Sequence, residues 1–145
     1  MAEYSEDYRA HAEADDRTDN WKTDSQEEFD IGIPPEFGGE FEGPAPENYY
    51  AVALTNCYVA TFKVIADNSD ISFDKMVADG VLKLRPDDGS TVVDSFELSV
   101  ELHAEDPGRK TEVLLERTQS HCFILDSVDF DVSVEHNIVT SADRQ

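Results

Sequence analysis

Cys57 and Cys122 are the only two cysteines in this 145-residue chain, and they stand 65 positions apart. A thiol does redox work as the thiolate, so something has to lower its pKa, commonly a cation or a helix N-terminus. With 33 Asp and Glu against 11 Lys and Arg, cations are scarce and must be delivered by the fold. Without such help each thiol is simply a small core hydrophobe. Two cysteines in a chain of this kind do not suggest a structural disulfide framework. Zinc is the competing chemistry, with Cys57, Cys122, His121, His103 and His136 as conceivable ligands. No CxxC, HxxxH or HExxH spacing occurs, so the ligands would have to come from scattered elements, and no metal is expected. His103, His136 and His11 fall on polar stretches and are expected in solvent.

The charge limits the partners. A formal net charge of −22 and a pI near 4.2 repel phosphate backbones and anionic headgroups, which argues against nucleic-acid and membrane-surface binding. The apolar run at Tyr49–Leu54 is far shorter than the ~20 residues of a membrane-spanning helix. The opening Met1-Ala2-Glu3-Tyr4-Ser5-Glu6-Asp7 has neither a basic nor an apolar region, so no secretory signal is expected and the cytoplasm is the expected location. Hydrophobic residues make up 39%, to which seven glycines add, and this suits one folded domain over 1–145. The acids are spread through every segment, with only five lysines, unlike an acidic tail. That pattern suits a surface adapted to concentrated salt, where the Debye length shrinks to ~3 Å at molar strength.

These side chains have to be positioned by an α+β arrangement. The acidic N-terminal region, 1–27, alternates from about 6 to 14 and predicts a strand, turning at Asp15–Asn20. Phe29, Ile31 and Ile33 predict a second short strand, ended by Pro34-Pro35. Residues 34–46, with four prolines and three glycines, predict a loop. Residues 47–66 are apolar on almost every face, which predicts a long buried central helix, with Pro46 and Glu47 as its start signals. Residues 73–85 predict a strand bulged at Asp79-Gly80, joined through Pro86–Ser90 to the alternating strand around Phe96, Leu98, Val100 and Leu102. A second helix is expected over 107–122, opened by Asp106/Pro107, before a last strand carrying Val128, Phe130, Val132 and Val134. One-sided alternation in these strands predicts antiparallel pairing.

The run Pro34-Pro35-Glu36-Phe37-Gly38-Gly39, then Glu42-Gly43-Pro44-Ala45-Pro46-Glu47, then an apolar helix bearing Cys57, resembles the OsmC/Ohr family. These are the osmotically inducible protein C and organic hydroperoxide resistance proteins. The position of Cys122, at the end of a later helix and before a final strand, matches the second cysteine of that family. The resemblance covers roughly residues 4–138. Departures are local: Ala45 replaces a frequent asparagine, Tyr49-Tyr50 are bulkier than usual, and Phe123-Ile124-Leu125 follow the second cysteine in place of proline and small polar residues.

The resemblance implies antiparallel sheets around the central helix in an intertwined homodimer with active sites at the interface. It implies a thiol peroxidase reducing organic hydroperoxides, with Cys57 peroxidatic and Cys122 resolving. Glu47 matches the family glutamate that orients an arginine. Arg17 is the positional match for that arginine, and Arg9 the second candidate. Phe37, Phe41, Tyr49, Tyr50 and Tyr58 would form an apolar rim for the substrate, unless they serve only core and interface packing. No cofactor is implied, but an external dithiol, possibly lipoyl, has to reopen the disulfide. The alternative is a non-catalytic dimer of the same fold that binds a small apolar ligand in its interface cavity.

The charge generates a first test. In dilute buffer, unscreened self-repulsion opposes folding, so circular dichroism should show loss of structure at low KCl and recovery at molar KCl. A cooperative fold that is indifferent to salt would count against salt adaptation.

Overall fold

A computed structural model describes residues 10–13, 20–24, 27–105 and 107–140. The chain falls into two compact units, residues 1–49 and 50–145. Turn residues 15–19, Asp106, Arg9 and Arg17 lie outside the described residues.

In the first unit, β1 (His11–Glu13), β2 (Asn20–Asp24) and β3 (Glu28–Gly32) form an antiparallel sheet in that order. The middle strand was not among the expected elements. Its Asn-Trp-Lys-Thr-Asp sequence carries one large apolar residue, and its place comes from pairing on both edges. An ion pair between Lys22 and Asp30 at 2.8 Å joins β2 to β3. After Pro34 a 3-10 turn covers Pro35–Phe37. Helix α1 (Pro46–Asn68) then starts with proline in its first turn. The Ala45 N–H donates to Asn48 Oδ1 at 2.9 Å, so the third helical residue reaches back to the cap as in half of a capping box.

In the second unit, β4 (Lys75–Asp87), β5 (Ser90–His103) and β6 (Asp131–Val139) form a mixed sheet with β5 in the centre. The β4–β5 hairpin closes through Asp88 and Gly89, both at positive φ (48° and 81°), the two-residue turn that Asp-Gly favours. The β5–β6 pair is parallel, not antiparallel. Between them run α2 (Arg109–His121) and the single turn α3 (Phe123–Asp126), the helical crossover that parallel neighbours require. The expected helix over 107–122 thus breaks at Cys122, which belongs to neither helix. The strand irregularity lies at Lys83/Leu84, not at Asp79-Gly80.

The core of this unit is the face of the sheet that carries Phe96, Leu98, Val100 and Leu102, packed by Leu54, Tyr58, Phe62 and Ala66 of α1 and by Leu114, Leu115 and Leu125. Leu54, Tyr58, Phe62 and Ala66 recur every fourth residue, so a single stripe of α1 is buried. That corrects the expectation of a helix buried all round: Val52 is 54% and Val64 61% exposed. One sheet has only one face to offer one side of a helix, and no described residue of this unit covers Val52 and Val64 on the other side.

Gly80 has a packing role in place of the expected bulge. A Cβ there would lie 2.6 Å from the Phe96 ring and closer still to Thr55 Oγ1, so the missing side chain lets α1 approach the sheet. Gly80→Ala should therefore destabilise by about 1–3 kcal/mol, the range of overpacking. Gly108→Ala, with open space around the Cβ position, should stay within about 0.5 kcal/mol. Urea denaturation of both variants, in one salt concentration, makes the comparison.

Candidate thiol site

Two elements of the second unit bring the cysteines together. Cys57 is half-buried on the flank of the α1 stripe, packed against the core one residue before the fully buried Tyr58. Cys122 sits at the break between α2 and α3 with an extended backbone (φ −80°, ψ 95°). Its own N–H donates to the Thr118 carbonyl at 2.9 Å, and its carbonyl accepts from the Asp126 N–H at 2.9 Å. These bonds fix the break, and the break turns the thiol inward instead of along the helix surface.

The two thiols are neighbours, and Cys57 acts on the Cys122 proton. Both are free: Cys57 is half-buried, and Cys122 is fully buried. Burial, with the neighbouring Cys57 adding to it, pushes the Cys122 thiol up to about 11. The Leu125 backbone N–H and the Thr61 hydroxyl oppose this rise. Thr61 Oγ1 also lies 3.9 Å from Cys57 Sγ. Thr61 thus stands beside the thiol pair, a position that sequence reasoning missed. The available signal was its spacing: residues i and i+4 share one helix face, so a polar residue four after a helical cysteine meets it.

Tyr58 is fully buried, and its hydroxyl donates to the Leu115 carbonyl at 3.0 Å. Burial, then the negative charge that Cys122 carries when ionised, pushes this phenol up to about 12. It is a core residue tying α1 to α2 and not part of an exposed rim. Tyr50, 38% exposed, packs edge-to-face on Phe130 with centroids 6.3 Å apart.

Glu47, Phe37, Phe41 and Tyr49 belong to the first unit. Glu47 Oε2 is buried and has no hydrogen-bond partner among the described residues. Tyr49 stacks at 4.6 Å on Phe29, and Phe37 is exposed. Arg17 and Arg9 lie outside the described residues. His103, expected in solvent, is instead 8% exposed; its Nε2 pairs with Glu101, while Nδ1 is buried without a partner among the described residues. Its place at the end of the central strand, between Lys75 and Val139, accounts for the burial. His136 and His11 are exposed. Among the described residues no group of three or more His, Cys, Asp and Glu side chains is arranged to hold a metal ion. No helix among them is long and apolar enough to cross a membrane.

The sequence matches the family described as OsmC-like protein over residues 38–137. It is 26% identical over 141 residues to an uncharacterized protein of Acinetobacter baylyi, covering 93% of this chain and 95% of that one. The fold is similar to an OsmC-like protein from Mycoplasma pneumoniae, with a TM-score of 0.77, 17% identity, and coverage of 94% of this chain and 99% of that chain. It is also similar to the organic hydroperoxide resistance protein OhrB of Bacillus subtilis, with a TM-score of 0.66, 22% identity, and coverage of 89% and 96%.

The raised thiol and phenol make alkaline stability a test of this geometry. Cys122 and Tyr58 bind their protons more tightly folded than unfolded, from 9.0 to about 11 and from 10.0 to about 12. Their contribution is complete below pH 9 and is lost as pH rises through these folded values, by at most about 2–3 kcal/mol for each group. Urea unfolding of the reduced protein should give a stability that falls from about pH 9 to about pH 12. In Cys122→Ala the fall should be shallower. Equal slopes in both proteins would show that the Cys122 proton is not held by folding.

Proposed function

We propose, for a chain that belongs to the OsmC-like protein family, a cysteine-based peroxidase that reduces organic hydroperoxides to alcohols, with Cys57 peroxidatic and Cys122 resolving. The observation that carries this reading is the pairing of a half-buried thiol with a fully buried one beside it. Packing alone would not require the second thiol to sit at a helix break, turned toward the first. The name of the Bacillus subtilis protein with the similar fold supports the choice of substrate class.

The chemistry follows from the inequality of the two thiols. The more accessible Cys57, as thiolate, attacks the distal peroxide oxygen; an S–O bond forms, the O–O bond breaks, and the alkoxide leaves as alcohol after taking a proton. Cys122 stays a thiol through this step, since burial holds its proton. It then attacks the Cys57 sulfenic sulfur to give the disulfide and water. An external dithiol, with lipoyl groups among the candidates, reopens the bond by exchange. No cofactor is needed.

Glu47 and Arg17, with Arg9 as second candidate, complete the reading. A buried carboxylate oxygen without a partner among the described residues suits a guanidinium held at two points, which would stabilise the thiolate and the leaving oxygen. Phe37, Phe41, Tyr49 and Tyr50 would supply the apolar surface that favours organic over hydrogen peroxide. A homodimer is part of the proposal. Val52, Ala53, Ala60 and Val64 leave an apolar side of α1 exposed, and a second copy would cover it. The cytoplasm, where dithiol reductants are kept reduced, is the proposed location.

One measurement tests the core of this reading. Free thiols and intact mass are followed in molar KCl after one equivalent of cumene hydroperoxide, with hydrogen peroxide alongside. Both thiols should disappear into an intramolecular disulfide, faster with the organic peroxide. Cys57→Ser should abolish the reaction, and Cys122→Ser should stop at the sulfenic acid or overoxidise. Survival of both thiols in the wild-type protein would make them packing residues and overturn the assignment.

A further inference from the structure

Tyr58 brings a hydroxyl into an apolar core cluster, among Leu54, Phe62, Phe96, Leu102, Leu115 and Leu125. It is fully buried. Packing alone would be served by phenylalanine, which fills the same space without a polar atom to desolvate. The hydroxyl donates across the unit to the Leu115 carbonyl at 3.0 Å. Burial pushes the phenol up to about 12, so it stays a donor through the neutral range. Apolar contacts are non-directional and let packed helices slide over one another, whereas a hydrogen bond selects one position. This bond therefore fixes where α2 lies along α1.

The two ends of the bond lead to the two thiols. Tyr58 directly follows Cys57, which packs against the same cluster. Leu115, Thr118 and Cys122 stand at i, i+3 and i+7 on one face of α2, all fully buried. The Thr118 hydroxyl donates to the Leu114 carbonyl at 2.7 Å, and the Thr118 carbonyl accepts the Cys122 N–H at 2.9 Å. Seven residues of helix span ~10 Å, and a stretch bonded turn by turn carries a shift at Leu115 through to Cys122. A second link, from Lys110 Nζ to the Ser69 carbonyl at 3.0 Å, joins α2 to the end of α1 at the exposed far end of α2.

We propose that Tyr58 is a positioning residue of the thiol pair, its bond to Leu115 setting α2 at the place along α1 from which Cys122 closes on Cys57. The proposal rests on the peroxidase reading, in which the two cysteines join, and deepens it by assigning what controls that step. Disulfide closure tolerates little error, since the Cα atoms must stand ~4.4–6.8 Å apart with the Cβ vectors turned together. With the bond in place the helices are already set for closure. Without it, closure has to draw α2 from a displaced position, and the disulfide form alone bears that strain.

Tyr58→Phe keeps the ring, and the Leu115 carbonyl keeps the N–H four residues on in α2, so the variant folds. The redox equilibrium against dithiothreitol or glutathione couples reads the position of the helices and needs no peroxide. Cys57 and Cys122 give up two protons and two electrons to the reagent; one S–S bond forms in the protein and one breaks in the reagent. Tyr58→Phe should disfavour the protein disulfide about 10-fold, a rise of ~30 mV in its potential. Lys110→Met should stay within about twofold of wild type. Urea unfolding should show the same asymmetry, with Tyr58→Phe losing more stability oxidised than reduced. A merely structural bond would weaken both forms alike, so an equilibrium equal to wild type would overturn the proposal and leave the peroxidase intact. An equal shift in Lys110→Met would also overturn it, by assigning the effect to any link between the helices. A wild-type protein that forms no disulfide in either couple would remove the proposal and the reading together. If it forms the disulfide yet ignores cumene hydroperoxide, only the peroxidase reading falls, and the Tyr58→Phe shift still decides the proposal.

Discussion

The second unit depends on how closely α1 lies against its sheet. Gly80 offers no side chain where Thr55 and the Phe96 ring come down on it, and the stripe from Leu54 to Ala66 then reaches the inner face of β5. Burying a Leu, Phe or Tyr side chain of this kind contributes about 1.5–3 kcal/mol each, so the stripe fixes the rotation of the helix as well as its position. Rotation is what matters for the chemistry. With Leu54, Tyr58 and Phe62 turned to the sheet, Cys57 and Thr61 fall on the flank of the stripe, half-buried, where a group from α2 and α3 can meet them. The Tyr58 hydroxyl on the Leu115 carbonyl ties the same turn of α1 to α2 and so holds the segment that ends in Cys122. A helix rotated by one residue would exchange thiol and phenol, burying the wrong group.

The helix break at Cys122 is the second constraint. An uninterrupted α2 would carry residue 122 onward along its own surface. The extended ψ at Cys122, with bonds to Thr118 behind and Asp126 ahead, changes the chain direction without leaving those backbone groups unpaired. The family resemblance leads one to expect proline and small residues after this cysteine; here Phe123-Ile124-Leu125 form a single helical turn instead. Leu125 and Ile124 enter the core, and Phe123 stays 77% exposed. The break is thus held by apolar burial on its inner side. The same turn aims the Leu125 N–H at the thiol.

Much of this was legible in the residues, and the exceptions have physical causes. The start of α1, the Asp-Gly hairpin and the alternating core strands follow from proline, turn and period-two signals that act locally. The parallel β5–β6 pair was misread because one-sided alternation usually belongs to antiparallel sheets. The better signal was the order of elements, strand, helix, strand, which favours a crossover. The all-round apolar pattern of α1 was taken as burial on every side. A sequence records what a helix can bury, and the described residues of the second unit cover only one stripe. At the site, the two cysteines stood out because they are rare. Thr61 did not, because threonine is common and its meaning depends on what lies across the helix. His103 was placed in solvent by strand parity, which ignores how the end of a central strand is enclosed by its neighbours.

The net charge of −22 sets the electrostatic problem that the site has to solve. A thiolate is one more negative charge in a strongly negative molecule, and general charge would oppose it. Molar salt screens the exposed carboxylates over ~3 Å, but it does little for a group excluded from water. Stabilisation of a thiolate therefore has to come from donors that are short-ranged and fixed. The Thr61 hydroxyl, 3.9 Å from the Cys57 sulfur, is such a donor, and the Leu125 N–H works against the rise of the Cys122 thiol. Hydrogen bonds to charged groups are worth roughly twice neutral ones, and they are least screened where water is absent. A chain poor in cations can thus set hydroxyl and backbone dipoles beside sulfur in its interior, and the arginine of the proposed reading would add a full positive charge to them.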